Sequence, residues 1–169
     1  MTISLTGFMG CGKSSAGREL AGRLGARFVD LDAEIVVREG RSIPDIFREG
    51  GEAAFRSAEL AVLRAVLDEA DAAGGDTVLA LGGGTLTVPE AREMVLSRTR
   101  CVWLRASLET IRERLGAADA SRPLFADADA LFAARQEIYA LAPFAVDTDG
   151  LTPAEVAAAI VAVGKVRGL

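Results

Sequence analysis

Apolar and polar positions along the chain fall into two alternating kinds of segment. Residues 3–6, 28–30, 77–81, 101–104 and 145–147 are short, mostly apolar runs near turn residues, the signature of buried strands. Between them, residues 13–24, 53–70, 89–96, 108–115 and 154–166 carry apolar positions at helical spacing. In 53–70, Leu60, Leu63, Val66 and Leu67 recur every three or four residues and form one face. Pro89 and Pro153 stand just inside helix starts, and Thr152 is placed to cap the second. Regular strand–helix alternation predicts an α/β protein, a parallel sheet with helices on both faces. No repeat, low-complexity segment or linker divides the sequence, so residues 1–169 are expected to form one domain. Two stretches break the rhythm. Residues 32–53 form a polar insertion of short helices, and residues 116–130 (GAADASRPLFADADA) lack periodicity. A loop of that length inside a compact fold is commonly functional.

Composition narrows the classes. Half of the 169 residues are hydrophobic and a quarter charged, which supports a packed core and excludes a disordered chain. With 19 basic and 24 acidic residues the net charge is −5, a poor footprint for nucleic acid or an anionic membrane. No basic segment followed by an apolar run opens the chain. The most apolar stretch, 154–163, is too short to span a bilayer and carries Glu155. Cys11 and Cys101 are expected to be reduced, in a cytoplasmic protein, and nothing suggests a large exposed apolar face, so a monomer is expected. The absence of histidine excludes His-based catalysis and His-ligated zinc.

The strongest chemical signal is Gly7-Phe8-Met9-Gly10-Cys11-Gly12-Lys13-Ser14, which matches GxxxxGK[ST] between a predicted strand and a predicted helix. A triphosphate needs many donors close together. Glycines let the backbone curl so that successive N–H groups converge, and the helix beginning at Lys13 adds its positive dipole end. Gly10, Cys11, Gly12, Lys13, Ser14 and Ser15 are therefore the expected ATP-binding residues, with Lys13 on the β- and γ-phosphates and Ser14 on Mg²⁺. Cys11 is a small space-filler or, beside Lys13 at a helix start, an oxidisable thiol. The third strand ends in glycines and lacks the usual metal-binding Asp, so the acid must come from elsewhere. Asp30-Leu31-Asp32 is the candidate, strand alternation placing both carboxylates on one side. In such an enzyme 116–130 reads as a lid.

Asp30-Leu31-Asp32, Phe55-Arg56, Gly82-Gly83-Gly84 and Arg122-Pro123-Leu124, following a phosphate loop at residue 7, resemble the shikimate kinase family in order and spacing over nearly the whole chain. The resemblance implies a three-layer P-loop kinase fold with a five-stranded parallel sheet, a helical shikimate-binding region at 32–60 and a lid at 116–130. It implies transfer of the ATP γ-phosphate to the 3-hydroxyl of shikimate in aromatic amino-acid biosynthesis. By the same resemblance, Lys13, Asp32 and Arg122 are catalytic, and Asp30 supports Mg²⁺ through water. Arg56 and Arg135 grip the shikimate carboxylate, for which guanidinium forks are suited. Gly82, Gly83 and Gly84 let backbone approach the ring, Phe47 and Phe55 wall it, and Arg114 and Arg122 contact the nucleotide.

Each of these residues has a plainer reading: helical arginines pair with acids four residues away, and aromatic residues fill cores. The chain also departs from the family between residues 122 and 135, which is a shorter span than usual. Arg135-Gln136-Glu137-Ile138-Tyr139 lacks the proline common after that arginine. Rival readings are another small-metabolite kinase such as a gluconate kinase, a nucleoside monophosphate kinase, and a non-catalytic nucleotide- or shikimate-binding regulator.

Overall fold

The computed structural model describes residues 1–116 and 128–167, with side chains as far as residue 164 at the C-terminal end. Five strands form one parallel sheet: β1 (Thr2–Thr6), β2 (Arg27–Asp30), β3 (Thr77–Ala80), β4 (Arg100–Arg105) and β5 (Phe144–Asp147), in the spatial order β2-β3-β1-β4-β5. β1 is central, with Ile3 opposite Val78 of β3 and Arg100 of β4. Side chains of a buried strand alternate between faces, and two cores follow. Leu79 and Cys101 pack beneath α2 (Leu31–Glu39), α3 (Ile43–Ala73) and α4 (Pro89–Arg98). Their neighbours Val78 and Val102 pack on the other face, under α1 (Lys13–Leu24) and α7 (Pro153–Arg167). The expected three-layer α/β/α architecture is present.

Local chemistry sets the element ends. α1 follows Gly12 at φ 96° and stops at Gly25 at φ 63°. Ser42 caps α3 by accepting from the Asp45 amide, and Gly51 kinks that helix, so its first two turns stand apart from the long segment that follows. Thr152 and Glu155 form a reciprocal capping box at the start of α7, as the sequence pattern anticipates.

Two expectations need correction. Asp32 is not on a strand: β2 ends at Asp30, whose carboxylate accepts from the Ala33 amide and caps α2, leaving Asp32 in the first helical turn. Strand alternation is therefore not what brings the two acids together. A further helix, α6 (Ala128–Tyr139), follows α5 (Leu108–Gly116) and begins inside the segment read as a lid. Residues 117–127, including Arg122, lie outside the described residues. Among the described residues, no helix is long and apolar enough to cross a membrane.

Candidate active site

The carboxyl ends of β1, β2 and β3 open into a cavity of about 530 Å³, the position where ligands bind in open α/β sheets. Residues 9–14 line it on one side. Gly7 lies at φ 142°, and a Cβ there would fall 2.6 Å from the Leu104 carbonyl oxygen, so only glycine fits this turn. The Lys13 ammonium donates to the carbonyls of Gly7 (2.8 Å) and Phe8 (3.1 Å), folding the loop around itself. Gly10, Cys11, Gly12, Ser14 and Ser15 all line the cavity. Cys11 is buried and free of any disulfide, as is Cys101, whose thiol burial pushes up to about 11.

Arg114 reaches this loop from α5. Its guanidinium donates to the Cys11 carbonyl (3.1 Å) and to the Thr148 carbonyl (2.9 Å), tying the phosphate loop to the turn after β5. Asp30 sits at the opposite wall and accepts from the Ser14 hydroxyl at 2.5 Å. A hydroxyl and a carboxylate in contact at a helix start are hard oxygen donors of the kind Mg²⁺ prefers.

The glycine triplet organises the remaining side chains, each glycine abutting a different part. A Cβ on Gly82 would lie 3.0 Å from both Asp32 Oδ1 and Glu59 Oε1. On Gly83 it would meet the Met9 amide nitrogen at 3.5 Å, Arg135 Nη1 at 3.6 Å and the Gly7 carbonyl oxygen at 3.7 Å. On Gly84 it would strike Arg56 Nη2 at 2.6 Å. Phosphate loop, Asp32, Arg56 and Arg135 therefore converge on one turn, and the two arginines come from helices far apart in sequence.

Charge within this wall is unevenly balanced. Glu59 is 1% exposed and takes a hydrogen bond from Arg56 (2.7 Å) and another from the Thr85 hydroxyl (2.7 Å). Arg56 also reaches Glu52 at the surface, and its guanidinium lies 5.2 Å from the centre of the Phe55 ring. Burial raises the Asp32 carboxyl above its usual range; Asp30 and Glu59 push it the same way, while Lys13 and Arg56 oppose them. Phe47 and Phe55 stack 4.7 Å apart beside this network; Phe55 belongs to the core and Phe47 is 40% exposed.

Glu59 and Thr85 are the residues that motif reading misses. Glu59 was nonetheless visible in principle. It occupies the buried register of Phe55, Val62 and Val66, where a lone acid demands a partner. Thr85, directly after the glycines, gave no such signal.

Comparison with known proteins places the chain in a family. The family model for shikimate kinase matches residues 9–164. A shikimate kinase of Thermus thermophilus is 45% identical over 166 residues, covering 94% of this chain and 87% of the relative. A solved shikimate kinase from Acinetobacter baumannii, in complex with shikimate, superposes with a TM-score of 0.89 at 32% identity, covering 99% of this chain and 94% of that one. A gluconokinase from Sinorhizobium meliloti superposes at a TM-score of 0.60 and 19% identity, a likeness of fold alone. The phosphate loop, the glycine triplet and the flanking arginines thus stand in a chain that belongs to the shikimate kinase family.

Proposed function

We propose that this protein transfers the γ-phosphoryl group of ATP to the 3-hydroxyl of shikimate, giving shikimate 3-phosphate and ADP for aromatic amino-acid biosynthesis. The observation that carries the reading is the convergence of the phosphate loop, Asp32, Arg56 and Arg135 on Gly82–84. It supports two anion-holding sites side by side, one made of backbone and one of guanidinium groups.

Residues 7–15 hold the nucleotide, with Lys13 moving from its loop carbonyls to the β- and γ-phosphates and Arg114 beside the adenine. Ser14, with Asp30 through water, would hold Mg²⁺, which would offset charge on the phosphate oxygens. Residues 32–60 and the glycine triplet take shikimate: Arg56 and Arg135 pair with its carboxylate, and the Phe47–Phe55 stack flanks the ring. The 3-hydroxyl oxygen attacks the γ-phosphorus as the bond to the bridging oxygen of ADP breaks. The hydroxyl proton passes to Asp32, whose raised proton affinity suits it to accept one. Little covalent work is needed, since the transition state is loose and positioning dominates. Arg122, outside the described residues, is assigned to the transferring phosphoryl group through its place in Arg122-Pro123-Leu124. The working unit is a monomer, for which light scattering should return a mass of 17.6 kDa.

The test is ADP release with ATP and Mg²⁺ in the presence of shikimate, gluconate, AMP or no acceptor. Release that depends on shikimate supports the assignment. Release with gluconate or AMP alone transfers it to a rival kinase, and nucleotide binding without turnover favours the regulator.

A further inference from the structure

Tyr139 has no part in the chemistry described so far, yet it is among the most deeply buried large side chains, at 1% exposure. It ends α6, one helical turn after Arg135, so both side chains leave the same face of that helix. Its hydroxyl meets the Gly83 carbonyl oxygen at 2.5 Å. A carbonyl only accepts, so the phenol must be the donor, and its single proton is committed to Gly83. Gly83 in turn borders the Arg135 guanidinium, since a Cβ on it would lie 3.6 Å from Arg135 Nη1. Burial pushes the Tyr139 hydroxyl up to about 12, while the nearby Arg135 charge acts against that rise. The phenol therefore stays protonated across the working pH range and keeps its orientation.

Gly83 is where such a restraint matters. With no Cβ, its peptide is free to rotate unless something restrains it. It also borders the phosphate loop and Arg135 at once. Trp103 and Phe8 pack around Tyr139 and fix its ring, so the hydroxyl is held by a rigid support.

We propose that Tyr139 is a positioning residue for the acceptor acid. Its hydroxyl locks the Gly83 carbonyl, joining α6 to the glycine triplet and fixing the turn beside which Arg135 is presented to the substrate carboxylate. The role rests on the assignment of shikimate as acceptor.

Tyr139→Phe removes the oxygen and leaves the ring, so the packing survives. The variant should raise the shikimate KM about tenfold, the effect of losing one buried hydrogen bond, with the ATP KM within twofold of the wild type. Shikimate binding followed by fluorescence of Trp103, the one tryptophan in the chain, should weaken by the same factor. In an Arg135→Ala background, Tyr139→Phe should change the shikimate KM by less than twofold, because the Gly83 turn fixed by the hydroxyl serves to place that guanidinium. Equal increases in both KM values, an unchanged shikimate KM, or full additivity with Arg135→Ala would overturn the proposal while leaving the kinase assignment intact. A wild-type protein that neither binds nor turns over shikimate would overturn both.

Discussion

The two halves of the candidate site are built on different physical principles. The nucleotide side is backbone: a contiguous run of eight residues whose curvature depends on glycine φ angles and on Lys13 holding the loop carbonyls. The acceptor side is a side-chain network, assembled from α2, α3, the glycine turn and α6. It contains a carboxylate at 1% exposure and an Asp whose proton affinity burial has raised. A backbone site gains its specificity from shape and tolerates little change at its glycines. A network of buried charges gains specificity from pairing, and its stability suffers when any one partner is removed. The two halves should therefore fail in different ways.

The largest failure is expected on the nucleotide side. Lys13→Ala should lower kcat on the order of 10²- to 10³-fold, as loss of a charge stabiliser at a transferring group does, while Trp103 fluorescence reports shikimate binding close to that of the wild type. If shikimate affinity fell in parallel, the two halves would be one unit.

Glu59→Gln comes next and probes the network alone. Replacing the buried partner of Arg56 with a neutral isostere should cost about 1–3 kcal/mol of stability in urea unfolding and raise the shikimate KM several-fold. The ATP KM should not move. Unchanged stability would mean that Arg56 does not depend on Glu59.

Asp32→Asn should split stability from activity. A carboxyl raised in the folded state binds more protons there than in the unfolded chain. Its contribution to stability is therefore greatest below its ordinary value of 3.8 and is lost as pH rises through the raised value. At pH 7 the native protein carries an ionised group that its surroundings disfavour. The variant should melt slightly higher than the wild type at pH 7, the advantage shrinking towards pH 4, and kcat should fall. A lower Tm at pH 7 would show that the ionised form is held favourably; a retained kcat would reduce Asp32 to an anchor for the acceptor hydroxyls. The smallest effect belongs to Phe47→Ala. That ring is 40% exposed, so the shikimate KM should rise by about two- to threefold, with no change for ATP.

The same contrast explains what the sequence reveals. The strands and most helices lie within a few residues of where hydrophobic periodicity puts them, because the two cores on either side of the sheet impose that periodicity. The nucleotide loop is legible because all its determinants are adjacent in the chain. The acceptor side is legible only as a set of separated residues made meaningful by family likeness. α6 escapes the pattern because of one residue. Its inward register runs through Ala128, Phe132, Arg135 and Tyr139, so a charge beside Gly83 interrupts the apolar stripe. Asp32 misleads in a similar way, since its neighbour Asp30 ends a strand and caps a helix at once. Glu59 reads on the page as an ordinary surface acid three residues from an arginine, and only its register among buried residues gives it away.

Phosphorus–proton correlation spectroscopy of the reaction mixture tests most directly whether a backbone cradle and a guanidinium-lined pocket hold their ligands in line. The account predicts a single new phosphate monoester whose phosphorus couples to the ring proton at C3 of shikimate, appearing in step with ADP. Phosphorylation at another hydroxyl, or ADP accompanied only by inorganic phosphate, would contradict it.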